Sequence, residues 1–184
     1  MARSTPRRVG LIGLGLMGRG MGLSLLRAGF ALTVLPHRQR AVADELIAAG
    51  AREAASPREV ASASDVVVLC LPGREAVNEV LLGRDALVAG ARPGLHVLEC
   101  STLTPDAGVR LHGAASAHGV RLVDAPLTGG PREAMAARLH ALVGGESDAD
   151  ADFVSPVLAA FCQRQHRRHP NADCGSRPEK LLME

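Results

Sequence analysis

The sequence predicts an α/β fold in which a mainly parallel β-sheet is covered by helices on both faces. Short runs rich in β-branched residues alternate with longer segments of helical period, which is the rhythm of consecutive β-α-β units. The runs are apolar on both faces, as in "DVVVLCLP", which is typical of strands buried between two layers of helices. With 184 residues and 47% hydrophobic content, the chain can form one sizeable core, so we expect one globular domain.

The first half of the chain contains a regular succession of predicted elements. The strand "RRVGLIG" precedes the helix "MGRGMGLSLLRAG", which Gly29 closes, and the strand "FALTVL" precedes the helix "RAVADELIAAG", which Gly50 closes. The helix "SPREVASA" begins with Ser56 as a predicted N-cap and Pro57 at the first helical position. The strand "DVVVLCLP" and the helix "REAVNEVLL" follow.

The second half continues the pattern up to a clear change near Gln163. Its predicted elements are the strand "GLHVLEC", the helix "TPDAGVRLHGAASAHG", the strands "VRLVDAP" and "HALVGG", and the helix "DADFVSPVLAAF". From Gln163 to Glu179 no apolar period is present, and Arg, His, Pro, Asn and Gly prevail. We therefore expect a folded domain over residues 1–162 and an irregular tail over residues 163–184.

Composition excludes several classes of function. The formal charge is +2, from 21 basic and 19 acidic residues interspersed along the chain, which gives nucleic-acid binding little electrostatic support. No apolar segment approaches the length needed to span a bilayer. Four cysteines lie far apart without C-x-x-C spacing, so disulfides and a metal site are not expected: Cys70, Cys100, Cys162 and Cys174. We expect a cytoplasmic protein that binds neither nucleic acid nor a membrane.

Three glycines near the N-terminus predict a dinucleotide site. Gly13, Gly15 and Gly18 form G-x-G-x-x-G directly after the first strand and at the start of the first helix. In that context the first glycine permits a tight turn, the second allows close approach of a pyrophosphate, and the third lets the helix pack on the strand. A tight turn in any glycine-rich α/β protein is the alternative. The context favours a Rossmann-type, doubly wound sheet that binds a dinucleotide.

The end of the second strand bears on which dinucleotide is bound. NAD enzymes usually place a carboxylate there to bind the ribose 2′-hydroxyl, whereas this chain has "VLPHRQR". His37, Arg38 and Arg40 could face a 2′-phosphate instead. Ordinary solvated charge at a helix start is the alternative. We therefore predict NADP as the cofactor in preference to NAD.

These motifs resemble the β-hydroxyacid dehydrogenase family, which includes 3-hydroxyisobutyrate dehydrogenase, tartronate semialdehyde reductase and relatives of 6-phosphogluconate dehydrogenase. The likeness spans about Arg8 to Phe161, and "GLIGLGLMGRGMGLSLLRAG" is similar to the family's cofactor signature beyond its glycines. An Asn-Arg pair commonly follows the second strand in NADP users of this family; Pro36 and His37 stand there here, so Arg38 would take that role. The resemblance implies that the signature contacts the cofactor through Gly13, Leu14, Gly15, Met17 and Gly18.

Three further blocks resemble the family in the same order. "LCLPGREAVNEVLLG" implies that Leu71 and Pro72 line the cofactor site, and "ECSTLTP" implies that Thr102 contacts the nicotinamide side. "VDAPLTGGPREAMAARLHALVGG" resembles the substrate-binding stretch, with Thr128 in place of the usual Ser and Gly129 and Gly130 after it.

Independently of the family resemblance, the positions of these residues in the predicted sheet indicate one shared crevice. Ligands of open parallel sheets bind beyond the carboxyl ends of the strands, where the side chains of Ser101 and Thr128 are predicted to lie. Their hydroxyls can donate to a carboxylate, and Gly129 and Gly130 would offer unshielded backbone N–H groups to the same substrate.

Reduction of a carbonyl by hydride transfer also needs a proton donor. The family uses a lysine on a helix after a glycine-rich turn, and the sole lysine of this chain is Lys180, in "CGSRPEKLLME". The match to the family pattern is imperfect. Either Lys180 is the catalytic residue or it is incidental in a tail that has lost its pattern.

Two functions therefore remain open at this point. The first is an NAD(P)-dependent oxidoreductase that acts on a small β-hydroxyacid or the matching semialdehyde by hydride transfer. The second is a non-catalytic dinucleotide-binding remnant. The family's second, all-helical domain, which carries most dimer contacts, has no counterpart in these 184 residues, so a truncated or frame-disrupted member is expected.

Overall fold

The computed structural model describes residues 5–38, 40–101, 105–145 and 147–167. The first half of the chain forms β1 (Arg8–Ile12), α1 (Leu16–Arg27), β2 (Ala31–Leu35), α2 (Arg40–Ala48), β3 (Arg52–Glu53), α3 (Pro57–Ala63), β4 (Val66–Leu69) and α4 (Arg74–Leu82). The second half forms α5 (Leu87–Gly90), β5 (His96–Glu99), α6 (Pro105–Ala117), β6 (Arg121–Asp124), β7 (Leu127–Thr128), α7 (Pro131–Met135), β8 (Leu139–Gly145), α8 (Asp148–Ala159) and β9 (Cys162–Arg167).

The strands form a mixed sheet whose larger part is parallel. Six parallel strands lie in the order β3-β2-β1-β4-β5-β6. β8 then runs antiparallel to β6, β7 runs antiparallel to β8, and β9 runs parallel to β8. This order confirms the predicted Rossmann-type sheet, and the direction of winding reverses between β1 and β4. Ligands of such sheets bind at that reversal, beyond the carboxyl ends of the strands.

Both faces of the sheet are buried, as the apolar strands predict. In β4, Val66 and Val68 face a core layer shared with α1, α2 and α8, whereas Val67 and Leu69 face a second layer shared with α3, α4 and α6. All four side chains are fully buried. The alternation of two apolar faces along one strand requires helices on both sides of the sheet.

The predicted helix start at Ser56 is confirmed in detail. The Oγ of Ser56 accepts a hydrogen bond from the backbone N–H of Glu59 at 3.2 Å, and Pro57 occupies the first helical turn. The Glu59 carboxylate reaches back to the N–H of Ala55 at 2.9 Å. These bonds satisfy backbone donors that the start of a helix otherwise leaves without partners.

The expectation of irregular structure from Gln163 onward is wrong for residues 163–167. These residues belong to β9, whose Cys162 lies opposite Leu139 and whose Arg167 lies opposite Val143. Backbone hydrogen bonds to β8 hold the strand, and only the side chain of Cys162 is fully buried. An edge strand of this kind needs no apolar period, so the sequence carried no signal of it. Residues 168–184, which complete the predicted tail, lie outside the described part of the chain.

Three of the four cysteines lie within the described ranges. Within the described ranges, Cys70, Cys100 and Cys162 are free thiols, while Cys174 lies outside them. Burial raises the pKa of Cys70 to about 11 and that of Cys162 to about 12, so both thiols are protonated at neutral pH. No helix in the described ranges is long and apolar enough to cross a bilayer, and no group of three potential metal ligands occurs there.

Candidate functional site

Gly13 makes the turn that follows β1. Its φ of +106° lies in the region that favours glycine, and an added Cβ would lie 2.1 Å from the carbonyl oxygen of Cys70, just after β4. The turn therefore packs directly on the neighbouring strand end, and a side chain at this position is excluded on two grounds.

Gly18 lies on the first turn of α1 and faces the same backbone. An added Cβ at Gly18 would lie 1.9 Å from the carbonyl oxygen of Gly13. The helix can therefore approach the turn only because Gly18 has no side chain. The geometry agrees with the packing function that the motif assigns to its third glycine.

Gly15 differs from both neighbours in the motif. Its φ is −78° and its ψ −166°, an extended conformation open to any residue, and no heavy atom of the described residues lies within 4 Å of an added Cβ. It is the N-cap of α1, no side chain caps the helix start, and the first turn carries no acidic residue. Neither strain nor packing inside the chain accounts for glycine here. The small residue leaves open the backbone at a helix N-terminus, where N–H groups and the helix dipole favour an anion.

Two apolar members of the signature point inward. The side chain of Leu14 is buried in the core and Met17 packs against the same layer. Their predicted contact with the cofactor is therefore restricted to backbone atoms for Leu14 and remains a prediction for both.

The residues after β2 lack a carboxylate and leave one arginine unpaired. His37 and Arg38 are exposed, and the structure shows no ion pair for Arg38 within its described ranges. Arg40 lies 2.8 Å from a carboxylate oxygen of Asp44 and 2.8 Å from one of Glu53. These ion pairs occupy the Arg40 guanidinium, so Arg38 is the better placed of the two arginines to meet an external phosphate.

The loop after β4 is tied to the end of β5. The backbone N–H of Leu71 donates to the Oγ of Ser101 at 2.9 Å, and Ser101 is buried. Leu71 is partly exposed and Pro72 is exposed. The Ser101 oxygen therefore joins two strand ends, and its predicted contact with substrate stays a prediction.

Glu99 is a buried carboxyl that the sequence analysis did not single out. Its side chain is 2% exposed at the end of β5, and its Oε1 accepts the N–H of Ser101 at 2.6 Å. Burial raises the pKa of Glu99 to about 7; hydrogen bonds from Ser101 oppose that shift and the nearby charge of Asp124 adds to it. A carboxylate at the end of an apolar strand was the available signal, but the sequence alone cannot distinguish it from a solvated charge.

The stretch predicted to hold substrate forms β7 and the start of α7. Thr128 ends β7 and is half-buried, and Gly129 has a φ of +114°. The N–H of Gly130 donates to the Glu133 carboxylate at 2.8 Å. The expectation that Gly130 offers a free N–H is therefore wrong, because Glu133 caps its own helix through that group. Substrate binding by Thr128, Gly129 and Gly130 stays a prediction.

The carboxyl ends of four parallel strands are linked at one edge of the sheet. Cys70 N–H donates to the carbonyl of Ile12 at 3.0 Å, Cys100 N–H to that of Leu69 at 2.9 Å, and Ala125 N–H to that of Glu99 at 2.8 Å. The Gly13 turn, Leu71 and Ser101 are thereby brought together, as one shared crevice requires. Thr102 and Lys180, predicted as nicotinamide contact and catalytic residue, lie outside the described residues.

Comparison with known proteins agrees with this geometry. Residues 8–169 match the family described as the NAD binding domain of 6-phosphogluconate dehydrogenase. The chain is 42% identical over 143 residues to NAD-dependent L-serine dehydrogenase of Pseudomonas aeruginosa, covering 78% of this chain and 48% of that protein.

Solved structures agree in fold and in sequence. A crystal structure of 3-hydroxyisobutyrate dehydrogenase from Salmonella typhimurium matches with a TM-score of 0.83 and 31% identity, over 92% of this chain and 58% of that one. Psf3, solved in complex with NADP+ and 2-OPP, matches with a TM-score of 0.83 and 32% identity, over 95% and 60% of the two chains.

The fold and the glycine turn define a nicotinamide dinucleotide-binding domain of the Rossmann type. The chain belongs to the β-hydroxyacid dehydrogenase family, as its sequence motifs predicted. It spans about half the length of the curated relatives it matches.

Proposed function

We propose that this chain is the cofactor-binding part of an NADP(H)-dependent oxidoreductase that interconverts a small β-hydroxyacid and the matching semialdehyde. The observation that carries the proposal is Gly15. Of the three motif glycines, Gly15 alone has neither a positive φ nor a packed neighbour in the described ranges to account for it. A bound pyrophosphate accounts for it, because that group must approach the backbone closely at the helix N-terminus.

The preference for NADP(H) is supported by the residues after β2. Arg38 is exposed and without an ion pair in the described part of the chain, and no carboxylate stands where a ribose 2′-hydroxyl would be bound. An arginine can form charge-assisted, bidentate hydrogen bonds to a 2′-phosphate. The L-serine dehydrogenase of Pseudomonas aeruginosa is named as NAD-dependent, whereas Psf3 was solved with NADP+, so relatives of both kinds are known.

The chain's own residues would hold the reactants at the carboxyl edge of the sheet. The bound cofactor supplies or accepts the hydride. The turn from Gly13 to Gly18 binds the pyrophosphate, the Leu71 loop lies beside the crevice, and Thr128 is offered as a hydroxyl donor to a substrate carboxylate. Lys180 is proposed as the proton donor to the developing alkoxide, by its resemblance to the family's lysine.

A dinucleotide-binding chain without turnover is the alternative function. Lys180 is the sole lysine of the sequence, so the described residues include no ammonium group that could perform the acid-base step. Cofactor binding is common to both functions. Turnover of a hydroxyacid belongs to the first alone.

Titration of the purified chain with NADPH and with NADH tests the proposal. The chain has no Trp and no Tyr, so binding must be read from the cofactor's own fluorescence or by calorimetry. NADPH should bind more tightly than NADH. A panel of hydroxyacids and semialdehydes, with absorbance of the reduced cofactor as readout, then separates the two functions. The free thiols of Cys70, Cys100 and Cys162 support the proposed cytoplasmic location.

A further inference from the structure

The second carboxyl oxygen of Glu99 is buried without a hydrogen-bond partner among the described residues. Oε1 accepts the N–H of Ser101, whereas Oε2 is buried without a hydrogen bond to any described residue. An unsatisfied buried oxygen carries a desolvation penalty that apolar side chains of similar shape would avoid. Packing alone therefore does not account for a carboxyl at this position.

Hydrogen bonds connect Glu99 to the loop beside the glycine turn. Glu99 accepts from Ser101, and Ser101 in turn accepts the N–H of Leu71 through its Oγ at 2.9 Å. Leu71 approaches the turn itself, because its Cδ2 would lie 3.3 Å from a Cβ added at Gly13. A continuous series of contacts thus runs from the buried carboxyl to the turn that is proposed to bind the pyrophosphate.

We propose that Glu99 is a positioning residue of the dinucleotide site, which fixes the Leu71 loop against the glycine turn through Ser101. The inference rests on the proposed function of that turn. The ionised carboxylate is the form that can only accept, so it holds both donor groups of Ser101 in one arrangement. A protonated carboxyl accepts these hydrogen bonds more weakly, so protonation loosens the arrangement of Ser101.

The groups that face Glu99 favour its neutral form. Cys70 after β4 is a partly buried thiol and Cys100, next to Glu99 in sequence, is a buried one. Asp124 of β6 lies opposite Glu99 in the parallel register. Asp124 also pairs with His112 of α6, whose Nε2 lies 3.2 Å from its Oδ2. With its pKa raised to about 7, Glu99 gains a proton as the pH falls through neutrality, and the arrangement that it holds weakens over the same range.

The pH dependence of NADH affinity tests the inference, because NADH lacks the titratable 2′-phosphate of NADPH. If only the ionised form binds well, the Kd of the wild-type chain should rise by up to about tenfold from pH 8 to pH 6. Glu99→Gln should be nearly independent of pH over that range and bind NADH weakly throughout. Ser101→Ala, which removes the oxygen that holds Leu71, should likewise weaken binding and flatten the profile.

ADP-ribose is the matched ligand, because it carries the same pyrophosphate diester as NADH, with no terminal phosphate that titrates near neutrality and no nicotinamide. Since it binds at the same turn, its affinity should follow the NADH profile in the wild type and should be nearly independent of pH in Glu99→Gln. If the wild-type chain binds neither NADH nor ADP-ribose, the proposed function fails. If both bind and their pH profiles are the same in the wild type and in Glu99→Gln, Glu99 is not a positioning residue. If Glu99→Gln does not fold, the profiles of the wild type and Ser101→Ala decide by the same criterion.

Discussion

A Cβ added at Gly13 would lie 2.1 Å from the carbonyl oxygen of Cys70. Backbone atoms of the turn after β1 are thus in direct contact with the end of β4, at the point where the winding of the sheet reverses. Glycines in this motif can be needed for the fold of the turn or for close approach of a ligand, and the contact at Gly13 distinguishes the two. Gly13 and Gly18 are glycines because the fold needs them, whereas Gly15 is the one that the fold leaves free.

Gly13→Ala should destabilise the fold strongly. The substitution adds strain at a φ of +106° and an overlap with the Cys70 backbone that no side-chain movement can relieve, so we expect a loss of more than about 2 kcal/mol. Thermal or urea unfolding followed by far-UV circular dichroism measures it.

Two other glycines serve as graded controls for that measurement. Gly29 has a φ of +85° but open space around an added Cβ, so Gly29→Ala should cost about 1 kcal/mol from backbone strain alone. Gly15→Ala should cost less than about 1 kcal/mol, the difference between the two residues as N-caps. Equal losses of stability for alanine at Gly13, Gly29 and Gly15 would contradict the conclusion that the fold needs Gly13 but not Gly15.

Asp150→Asn should remove a buried electrostatic contact between β5 and α8. The Nε2 of His96 lies 2.9 Å from the Asp150 Oδ1, and the Ser147 hydroxyl donates to Oδ2 at 2.6 Å. Both His96 and Asp150 are buried, so we expect a loss of about 3 kcal/mol at pH 7. Denaturant unfolding at several pH values measures it.

The loss of stability caused by Asp150→Asn should become smaller in acid. Burial alone would raise the pKa of Asp150, but the hydrogen bonds of Ser147 and His96 and the charge of Arg121 lower it below the ordinary value. The contribution of the ionised carboxylate is therefore complete above about pH 4 and is lost as the pH falls through the lowered pKa of the folded state. Asp148→Asn, an exposed change on the same helix, should alter stability by less than about 0.5 kcal/mol. If the difference in the free energy of unfolding between Asp150→Asn and the wild type stays constant down to pH 2, the ionised Asp150 carboxylate is not its cause.

Arg38→Ser should reduce the preference for NADPH over NADH. The exposed guanidinium is proposed to bind the 2′-phosphate, and a charge-assisted pair of this kind is worth about 1.5 to 3 kcal/mol, or roughly a factor of 10 to 100 in affinity. Calorimetric Kd values for the two cofactors give the ratio.

Arg40→Ser is the control for charge. It removes the same charge two residues away but breaks the ion pairs with Asp44 and Glu53, so it should leave the NADPH to NADH ratio nearly unchanged. Equal weakening of both cofactors by Arg38→Ser, or tighter binding of NADH by the wild type, would show that Arg38 does not select the cofactor.

The sequence predicted the long elements because each carries a period that burial imposes. It missed β3, α5, β7 and α7, which at two to five residues are too short for a period to be visible. One missed feature was accessible: Gly130 stands three residues before Glu133, the spacing of a capping box, and that spacing assigns the N–H of Gly130 to the helix.

The sequence predicted the part of the candidate site that a local backbone motif defines. It did not predict the part that depends on burial within the folded sheet. The motif spacing placed Gly13 and Gly15 correctly between β1 and α1, and Gly18 at the start of α1. The function of Ser101 as a link between strand ends and the buried state of Glu99 depend on the pairing of β5 with β4 and β6. The contact of Ser101 with Leu71 joins residues 30 positions apart, so it has no local signature.

The 184-residue chain should bind NADPH but turn over β-hydroxyacids slowly. Hydride transfer requires reactants held in near-attack geometry, and a misplacement of about 1 Å can lower the rate a hundredfold. The described residues place the Gly13 turn, Leu71 and Ser101 along one edge of the sheet, and the chain spans about half the length of its relatives. Steady-state consumption of NADPH with tartronate semialdehyde, compared between the wild type and Lys180→Ala, measures it. Rapid turnover that Lys180→Ala abolishes would show instead that the chain by itself is a working enzyme.

The most direct measurement is the affinity of Gly15→Val for NADPH, with Gly15→Ala and the wild type beside it. No heavy atom of the described residues lies within 4 Å of a Cβ at this position, so the fold should be retained, but the valine side chain occupies the space that a pyrophosphate needs at the start of α1. We predict that Gly15→Val unfolds within about 1 kcal/mol of the wild type and binds NADPH more than about tenfold more weakly. A folded Gly15→Val chain with wild-type affinity would contradict binding of the dinucleotide at this turn.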